Sequence, residues 1–207
     1  MLRKYLCQNY MKKFVIMLAG NILLGLGISI FKLSELGNDP FSGMVMALAE
    51  CVKIPYAAFL ILINLLIFLV QYMAGKEFIG IGTIVNACFL GYFVTFFYSV
   101  LQHFVLMPEA MWQKVIVVCI GVIVTSLGVS MYQTPEVGIA PFDSLSIIMA
   151  RKWIKIPYFW HRMLTDAICA AICFYAGGIV GLGTVVSAFG LGPFVHFFND
   201  HISKKLL

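Results

Sequence analysis

Ionisable side chains interrupt one apolar run of the sequence, in the stretch YFWHRMLTDAICAA that begins at Tyr158. This stretch contains His161, Arg162 and Asp166. Arg162 and Asp166 are four residues apart, so on a helix they share one face and can form an ion pair. A charge inside a membrane span is costly and is a functional candidate by default. The stretch therefore predicts a charge pair with a role in coupling, with His161 beside it. The alternative is an Arg162 that extends to the lipid headgroups, with Asp166 as its counter-ion.

Two proline-containing breaks, LGNDPFSG (36–43) and VGIAPFDS (137–144), carry the other candidate residues. Each proline begins a run of 13 mostly apolar residues and suits a first helical turn, where its missing N–H group has no partner. Asp39 is a natural N-cap, and Asp143 falls within the first turn. Two such helix starts inside a membrane favour an anionic or zwitterionic group, whereas capped helices on the membrane surface are the alternative. The predicted solute-binding residues are Asn38, Asp39, Ser42, Asn64, Asn86, Asp143, Ser144, Asp166 and Ser187.

The two breaks belong to a longer internal repeat with an offset of 101 or 102 positions. The segment KIPY occurs at 53–56 and again at 155–158, and GIGT at 80–83 corresponds to GLGT at 181–184. Asn64 corresponds to Asp166, and Asn86 corresponds to Ser187. Because shared hydrophobicity alone would not reproduce these glycines and prolines in order, the pattern indicates a duplication, a feature of many secondary transporters.

The composition is that of a polytopic membrane protein. Of 207 residues, 62% are hydrophobic and 11% are charged, and the mean hydropathy is +0.98. A soluble domain averages roughly 45–50% apolar and about 25% charged residues. Six apolar runs approach or exceed the length of about 20 residues that crosses a bilayer. These runs are Phe14–Leu33, Tyr56–Met73, Ile79–Val105, Ala110–Met131, Tyr158–Ala176 and Ile179–Phe198.

The predicted fold is all-α, with two homologous halves that each read span, short half-helix, span, span. A cytoplasmic segment (1–13) precedes the first repeat (14–105), the second repeat covers 110–200, and the whole forms one integral domain. The short runs Pro40–Val52 and Pro141–Trp153 are too short to span easily, which favours re-entrant helices, six crossings and inverted repeats. Eight crossings with parallel repeats stay open, because the distribution of Lys and Arg fits both topologies.

The pattern GLGISI…LGNDPFSG, with its echo SLGVSM…VGIAPFDS, resembles the bacterial YczE/YyaS/YitT group of small integral membrane proteins. That group has a glycine-rich first span followed by an LG-x-x-P-(F/W)-(D/S) segment. The resemblance is most specific over Ala19–Ala49 and implies a multi-pass protein of the bacterial cytoplasmic membrane, with a transport role and largely unassigned substrates. Ser42 stands where the second half has Asp143, so a symmetric carboxylate pair is not expected.

We therefore expect a secondary transporter or facilitator of a small polar solute in the lipid bilayer, with both termini cytoplasmic. The alternative is a non-transporting accessory or scaffold that binds another membrane protein, and a homodimer stays open. The net charge of +5 fits positive cytoplasmic loops and predicts no nucleic-acid partner. No HExxH, GxSxG or Walker A segment occurs, so no enzymatic activity, metal or cofactor is expected.

Overall fold

A computed structural model describes residues 2–104 and 107–207, with side chains from residue 9 onward. The end of the predicted first repeat at Val105, and the side chains of Arg3 and Lys4, lie outside the described residues. The described part is helical and contains no strand. Its α-helices are α1 (Leu2–Ser34), α2 (Pro40–Cys51), α3 (Tyr56–Ala74), α4 (Ile81–Phe104), α5 (Met111–Gln133), α6 (Pro141–Lys152), α7 (Tyr158–Tyr175) and α8 (Leu182–His201). Short 3-10 turns occupy Lys76–Phe78 and Ser203–Lys205.

Five helices are long and apolar enough to cross a membrane, namely α1, α3, α4, α5 and α8. The predicted all-α membrane fold is confirmed at this level. The predicted run Tyr158–Ala176 forms α7, which has 18 residues but is not among these five, because Arg162 and Asp166 lower its hydropathy. Helix α7 nevertheless packs against α2 and α6 inside the structure.

Helices α2 and α6 are half-length, with 12 residues each. At 1.5 Å per residue each extends about 18 Å, well below a hydrocarbon core of about 30 Å. Both begin at the predicted prolines, Pro40 and Pro141. Asp39 is the N-cap of α2 and accepts a hydrogen bond from the backbone N–H of Ser42 at 3.0 Å, as expected. Asp143 lies in the first turn of α6, as expected.

Glycines bring α1 and α5 together at the centre of the protein. A Cβ atom added to Gly27 would overlap the backbone of Thr125, and one added to Gly128 would lie 2.5 Å from the backbone nitrogen of Leu24. Gly20 contacts the backbone at Tyr132 in the same way. Because residue 20 lies beside 132 and residue 27 beside 125, α1 and α5 run antiparallel. Helix α4 packs on α1, and α8 packs on α5.

The loops that lead into the half-length helices contact the opposite half of the chain. The backbone N–H of Gly183 donates to the carbonyl of Leu36 at 2.9 Å, and that of Gly82 donates to the carbonyl of Val137 at 2.9 Å. The next residue in each loop is a glycine with positive φ, +98° at Gly37 and +122° at Gly138, a conformation that other residues rarely adopt. Each loop therefore rests on the GIGT or GLGT segment of the other half.

Candidate functional site

The starts of α2 and α6 meet in the interior of the protein. The rings of Phe41 and Phe142, which occupy corresponding positions in the two halves, stack with centroids 4.1 Å apart and an interplanar angle of 9°. Beside this stack lies a cavity of about 60 Å³. Its polar lining residues are Asp39, Ser42, Asn64, Asn86, Thr125, Asp143 and Arg162. Helices from both halves thus line one cavity, in which these polar groups stand among apolar side chains.

Arg162 is the centre of a charge network on one side of this cavity. Its Nη1 lies 2.6 Å from Oδ1 of Asp143, and its Nε lies 3.3 Å from Oδ2 of Asp166. The guanidinium carbon also lies 4.9 Å from the ring centroid of Phe142. The predicted Arg162–Asp166 pair is therefore present within α7, and the same guanidinium also binds α6. The side chain of Arg162 points at these interior groups rather than along the helix toward a headgroup region.

Asp143 receives two further hydrogen bonds that the sequence did not suggest. The hydroxyl of Tyr132 and Nε2 of Gln133, at the end of α5, both donate to Oδ2 of Asp143, the second at 3.0 Å. Tyr132 is fully buried. The position 101 residues before Tyr132 is Phe31, which has no hydroxyl. This difference between corresponding positions of the repeat could have marked Tyr132 as a candidate site residue. The carboxylate of Asp143 is thus held by three side chains from two helices.

The other side of the cavity has polar atoms without partners. Oδ2 of Asp39 accepts the cap hydrogen bond, but its Oδ1 is buried and has no hydrogen-bond partner among the described residues. The same is true of Nδ2 of Asn64 and Oγ1 of Thr125, two side chains that are each 2% exposed. The side chain of Asn86 makes one described hydrogen bond, which its Nδ2 donates to Oδ1 of Asn21 at 2.8 Å. Thr125 was missed because its repeat counterpart, Leu24, is apolar.

Five of the predicted residues do not line the cavity, and one of them, Asp166, is joined to it only through its ion pair with Arg162. The hydroxyl of Ser144 donates to the carbonyl of Pro141 at 2.7 Å, and that of Ser187 donates to the carbonyl of Thr184 at 3.0 Å. Asn38 donates to the carbonyl of Ile28 and thereby ties the loop before α2 to α1. Hydrogen bonds to backbone carbonyls satisfy these polar groups and so allow them to be buried.

His161 also lies outside the cavity. It is 3% exposed and stacks on Trp153, with ring centroids 5.9 Å apart. Its neighbour Arg162 faces the cavity, whereas His161 faces the turn that precedes α7. It has no contact with Asp166 or Asp143 among the described hydrogen bonds and ion pairs. The structure therefore does not bring His161 into the charge network.

The charge balance of the site is negative. Asp39, Asp143 and Asp166 supply three carboxyl groups, and Arg162 supplies the one basic side chain that contacts any of them within the described chain. Buried charge is tolerated where it is paired or hydrogen-bonded, which Asp143 satisfies fully and Asp39 only in part. No group of three His, Cys, Asp or Glu side chains in the described chain is placed to hold a metal ion. A cation in this cavity would need neutral oxygen ligands.

The chain is similar to several bacterial proteins over most of its length. An uncharacterized protein of Haemophilus influenzae is 27% identical over 93% of this chain and 86% of its own length. The uncharacterized protein YyaS of Bacillus subtilis is 23% identical over 91% of this chain and 92% of its own. The uncharacterized membrane protein YczE of the same organism is 25% identical over 92% and 86%. The predicted resemblance to the YczE and YyaS proteins is confirmed.

No solved structure is significantly similar to the chain. Residues 11–200 match the family described as DUF6198, family of unknown function. This range includes both half-length helices and every residue that lines the polar side of the cavity. The chain therefore belongs to the DUF6198 family.

Proposed function

We propose that this protein is a secondary transporter or facilitator of a small polar solute, which binds in the cavity between the two half-length helices. The observation that carries this proposal is the placement of Asp39, Asp143 and Arg162 around one interior cavity, with Asp166 paired to Arg162 beside it. Charged groups inside a membrane protein are expensive and mark ion or substrate pathways. Broken helices that start near the middle of a membrane are a common frame for such sites.

Inverted repeats with re-entrant half-length helices are the topology that we propose for this function. The antiparallel contact of α1 with α5 supports it, because corresponding helices run in opposite directions only if each half crosses the membrane an odd number of times. Each half-length helix also packs on the helix that follows the half-length helix of the other half: α2 packs on α7, and α6 packs on α3. Rocking of one half against the other would then expose the cavity to each side in turn.

The same arrangement narrows the solute class. Sequence analysis left anionic and zwitterionic solutes open, on the argument that helix N-termini attract negative charge. Each N-terminus now has a carboxyl group of the protein itself, Asp39 at α2 and Asp143 at α6. A purely anionic solute would meet these carboxylates, whereas a zwitterion places its cationic end near them and its anionic end near Arg162. We therefore propose a small zwitterion.

Both termini are proposed to be cytoplasmic. Nζ of Lys12 donates to the carbonyl of Leu207 at 3.1 Å, so the start of α1 and the end of the chain lie on the same side of the protein. Lys12, Lys13, Lys204 and Lys205 thus form a positive cluster on that side. Positive residues at the ends of spans favour the cytoplasmic face of a bacterial membrane.

The proposal is tested by ligand stabilisation followed by transport. The purified protein is screened for a rise in melting temperature with glycine, alanine and β-alanine, with acetate and ammonium as singly charged controls, because a ligand stabilises only a protein that binds it. A stabilising zwitterion is then supplied in radiolabelled form to proteoliposomes. We expect Asp143→Asn and Asp166→Asn to lower uptake at least tenfold, while Glu77→Gln, in a surface ion pair, leaves it unchanged.

Two outcomes would overturn the proposal. Uptake unchanged in both aspartate variants would exclude this site. Absence of stabilisation by every zwitterion, together with stoichiometric co-purification of another membrane protein, would support the accessory or scaffold role instead.

A further inference from the structure

The two halves of the chain supply positive charge to the cavity unequally. In the second half, Arg162 lies between Asp143 and Asp166. The corresponding positions of the first half are Leu60 for Arg162, Ser42 for Asp143 and Asn64 for Asp166. The first half has its own carboxyl group at Asp39, whose counterpart is Ala140. No Lys, Arg or His nitrogen of the described chain lies within 4 Å of Asp39.

Neutral oxygen atoms accompany Asp39 around the cavity. Thr125 lines it with a buried hydroxyl oxygen that makes no hydrogen bond within the described chain. Asn64 also lines it, and its amide oxygen takes part in none of the described hydrogen bonds. Asn86 lines it as well, and because its Nδ2 is bound to Asn21, its amide oxygen is the end that is left to accept. One carboxylate, two amide oxygens and one hydroxyl are ligands that hard cations prefer. These four residues come from the N-cap of α2 and from α3, α4 and α5.

Size and charge select among the hard cations. The unpartnered oxygen atoms of Asp39 and Thr125 are closed to water, and a dehydrated sodium ion is smaller than a water molecule. The cavity of about 60 Å³ has room for the ion and for about three or four waters to complete its coordination. One carboxylate balances one positive charge, whereas Ca²⁺ takes six to eight oxygen ligands and usually more than one carboxylate.

We infer that Asp39, Asn64, Asn86 and Thr125 form a binding site for a sodium ion, next to the network of Arg162. The bound ion would supply positive charge beside the carboxylate of the first half, as the guanidinium of Arg162 does beside the carboxylates of the second half. This inference rests on the proposed function only in giving the ion a role in coupling. An ion held by residues of α2 and α5 bridges the two halves, so its binding would favour the arrangement of the two halves that the structure shows.

The test measures ion binding directly, without any solute. The purified protein in detergent is titrated with NaCl, KCl or choline chloride at constant ionic strength, and the melting temperature and the binding of ²²Na⁺ are recorded. We expect Na⁺ to raise the melting temperature and to bind at one site per chain, while K⁺ and choline have little effect. Asp39→Asn should lower the affinity for Na⁺ by about tenfold or more, the scale on which metal sites respond to altered ligands.

Two further variants separate loss of a ligand from loss of folding. Thr125→Val keeps the shape of the side chain and removes only the hydroxyl, so the protein should fold and bind Na⁺ more weakly. Glu50→Gln removes an exposed carboxylate from the same helix α2 and should leave binding unchanged. Equal stabilisation by Na⁺, K⁺ and choline, or unaltered ²²Na⁺ binding in Asp39→Asn, would overturn the inference. If the protein binds Na⁺ but no zwitterion, the proposed sodium site stands and the proposed transport of a zwitterion is refuted.

Discussion

Arg162 and Asp143 are held 2.6 Å apart, from Nη1 to Oδ1, across the interface between α7 and α6. This ion pair fixes the start of the second half-length helix to the helix that follows it. The first half-length helix is fixed differently, through the local cap between Asp39 and the N–H of Ser42. The two halves thus hold similar helices by a long-range charge contact in one case and a short-range hydrogen bond in the other.

Loss of the guanidinium should destabilise the protein strongly. Arg162→Gln leaves Asp143 and Asp166 without their cation, and breaking a largely buried pair by removing one partner costs about 3–5 kcal/mol. The measurement is the free energy of unfolding in detergent by denaturant titration. Arg151→Gln is the matched control, because its partner Glu77 is half exposed and such pairs contribute about 0–1 kcal/mol. Similar losses in the two variants would show that Arg162 is not paired in the interior.

The hydroxyl of Tyr132 should stabilise the carboxylate of Asp143. Tyr132→Phe keeps the buried ring and removes one hydrogen bond to a charged group, which should lower the free energy of unfolding by about 1.5–3 kcal/mol. Tyr56→Phe is the control, since the hydroxyl of Tyr56 is buried without a hydrogen-bond partner in the described chain and its removal should cost nothing. A larger loss for Tyr56→Phe than for Tyr132→Phe would contradict this account.

The sequence predicted helices better than it predicted the contacts between them. Apolar runs and proline positions located α2 and α6 to within a residue, because these signals are local. The pairing of Arg162 with Asp166 was also predictable, since four-residue spacing on a helix fixes it. The bond from Arg162 to Asp143 joins two helices, and no spacing rule specifies it.

Comparison of the two halves could have located part of the remaining site. Tyr132 replaces Phe31 and Thr125 replaces Leu24, so each polar group stands out against an apolar counterpart. Ser144 was assigned as a solute-binding residue from its place at the start of the second half-length helix, and Ser187 from its correspondence with Asn86. Backbone carbonyls in their own helices accept hydrogen bonds from both hydroxyls, which neither argument reveals.

Close approach of α1 and α5 predicts a contrast between two glycines. Gly128→Ala would place a Cβ atom 2.5 Å from the backbone nitrogen of Leu24, so the helices must move apart. Such overpacking typically costs about 1–3 kcal/mol. Gly190→Ala in α8 meets no atom closer than 3.8 Å and should instead stabilise the helix by up to about 1 kcal/mol, because alanine has the higher helix propensity. Thermal unfolding of both variants in detergent measures the contrast, and a stabilised Gly128→Ala would disprove the tight contact.

The proposed topology is tested by labelling single cysteines from each side of the membrane. Lys53, after α2, and Lys76, after α3, lie at opposite ends of α3. With re-entrant half-length helices and a cytoplasmic N-terminus, Lys53 lies outside and Lys76 inside. In a variant that lacks the native cysteines, Lys53→Cys should therefore react with an impermeant maleimide added to intact cells, and Lys76→Cys should react only after the cells are opened. Eight crossings reverse both results, because α2 would then cross the membrane.

Arg151→Cys, at the end of α6, is a further reporter, which the six-crossing topology places inside with Lys76. Reaction of Arg151→Cys in intact cells would exclude inverted repeats even if the first two results agreed with them.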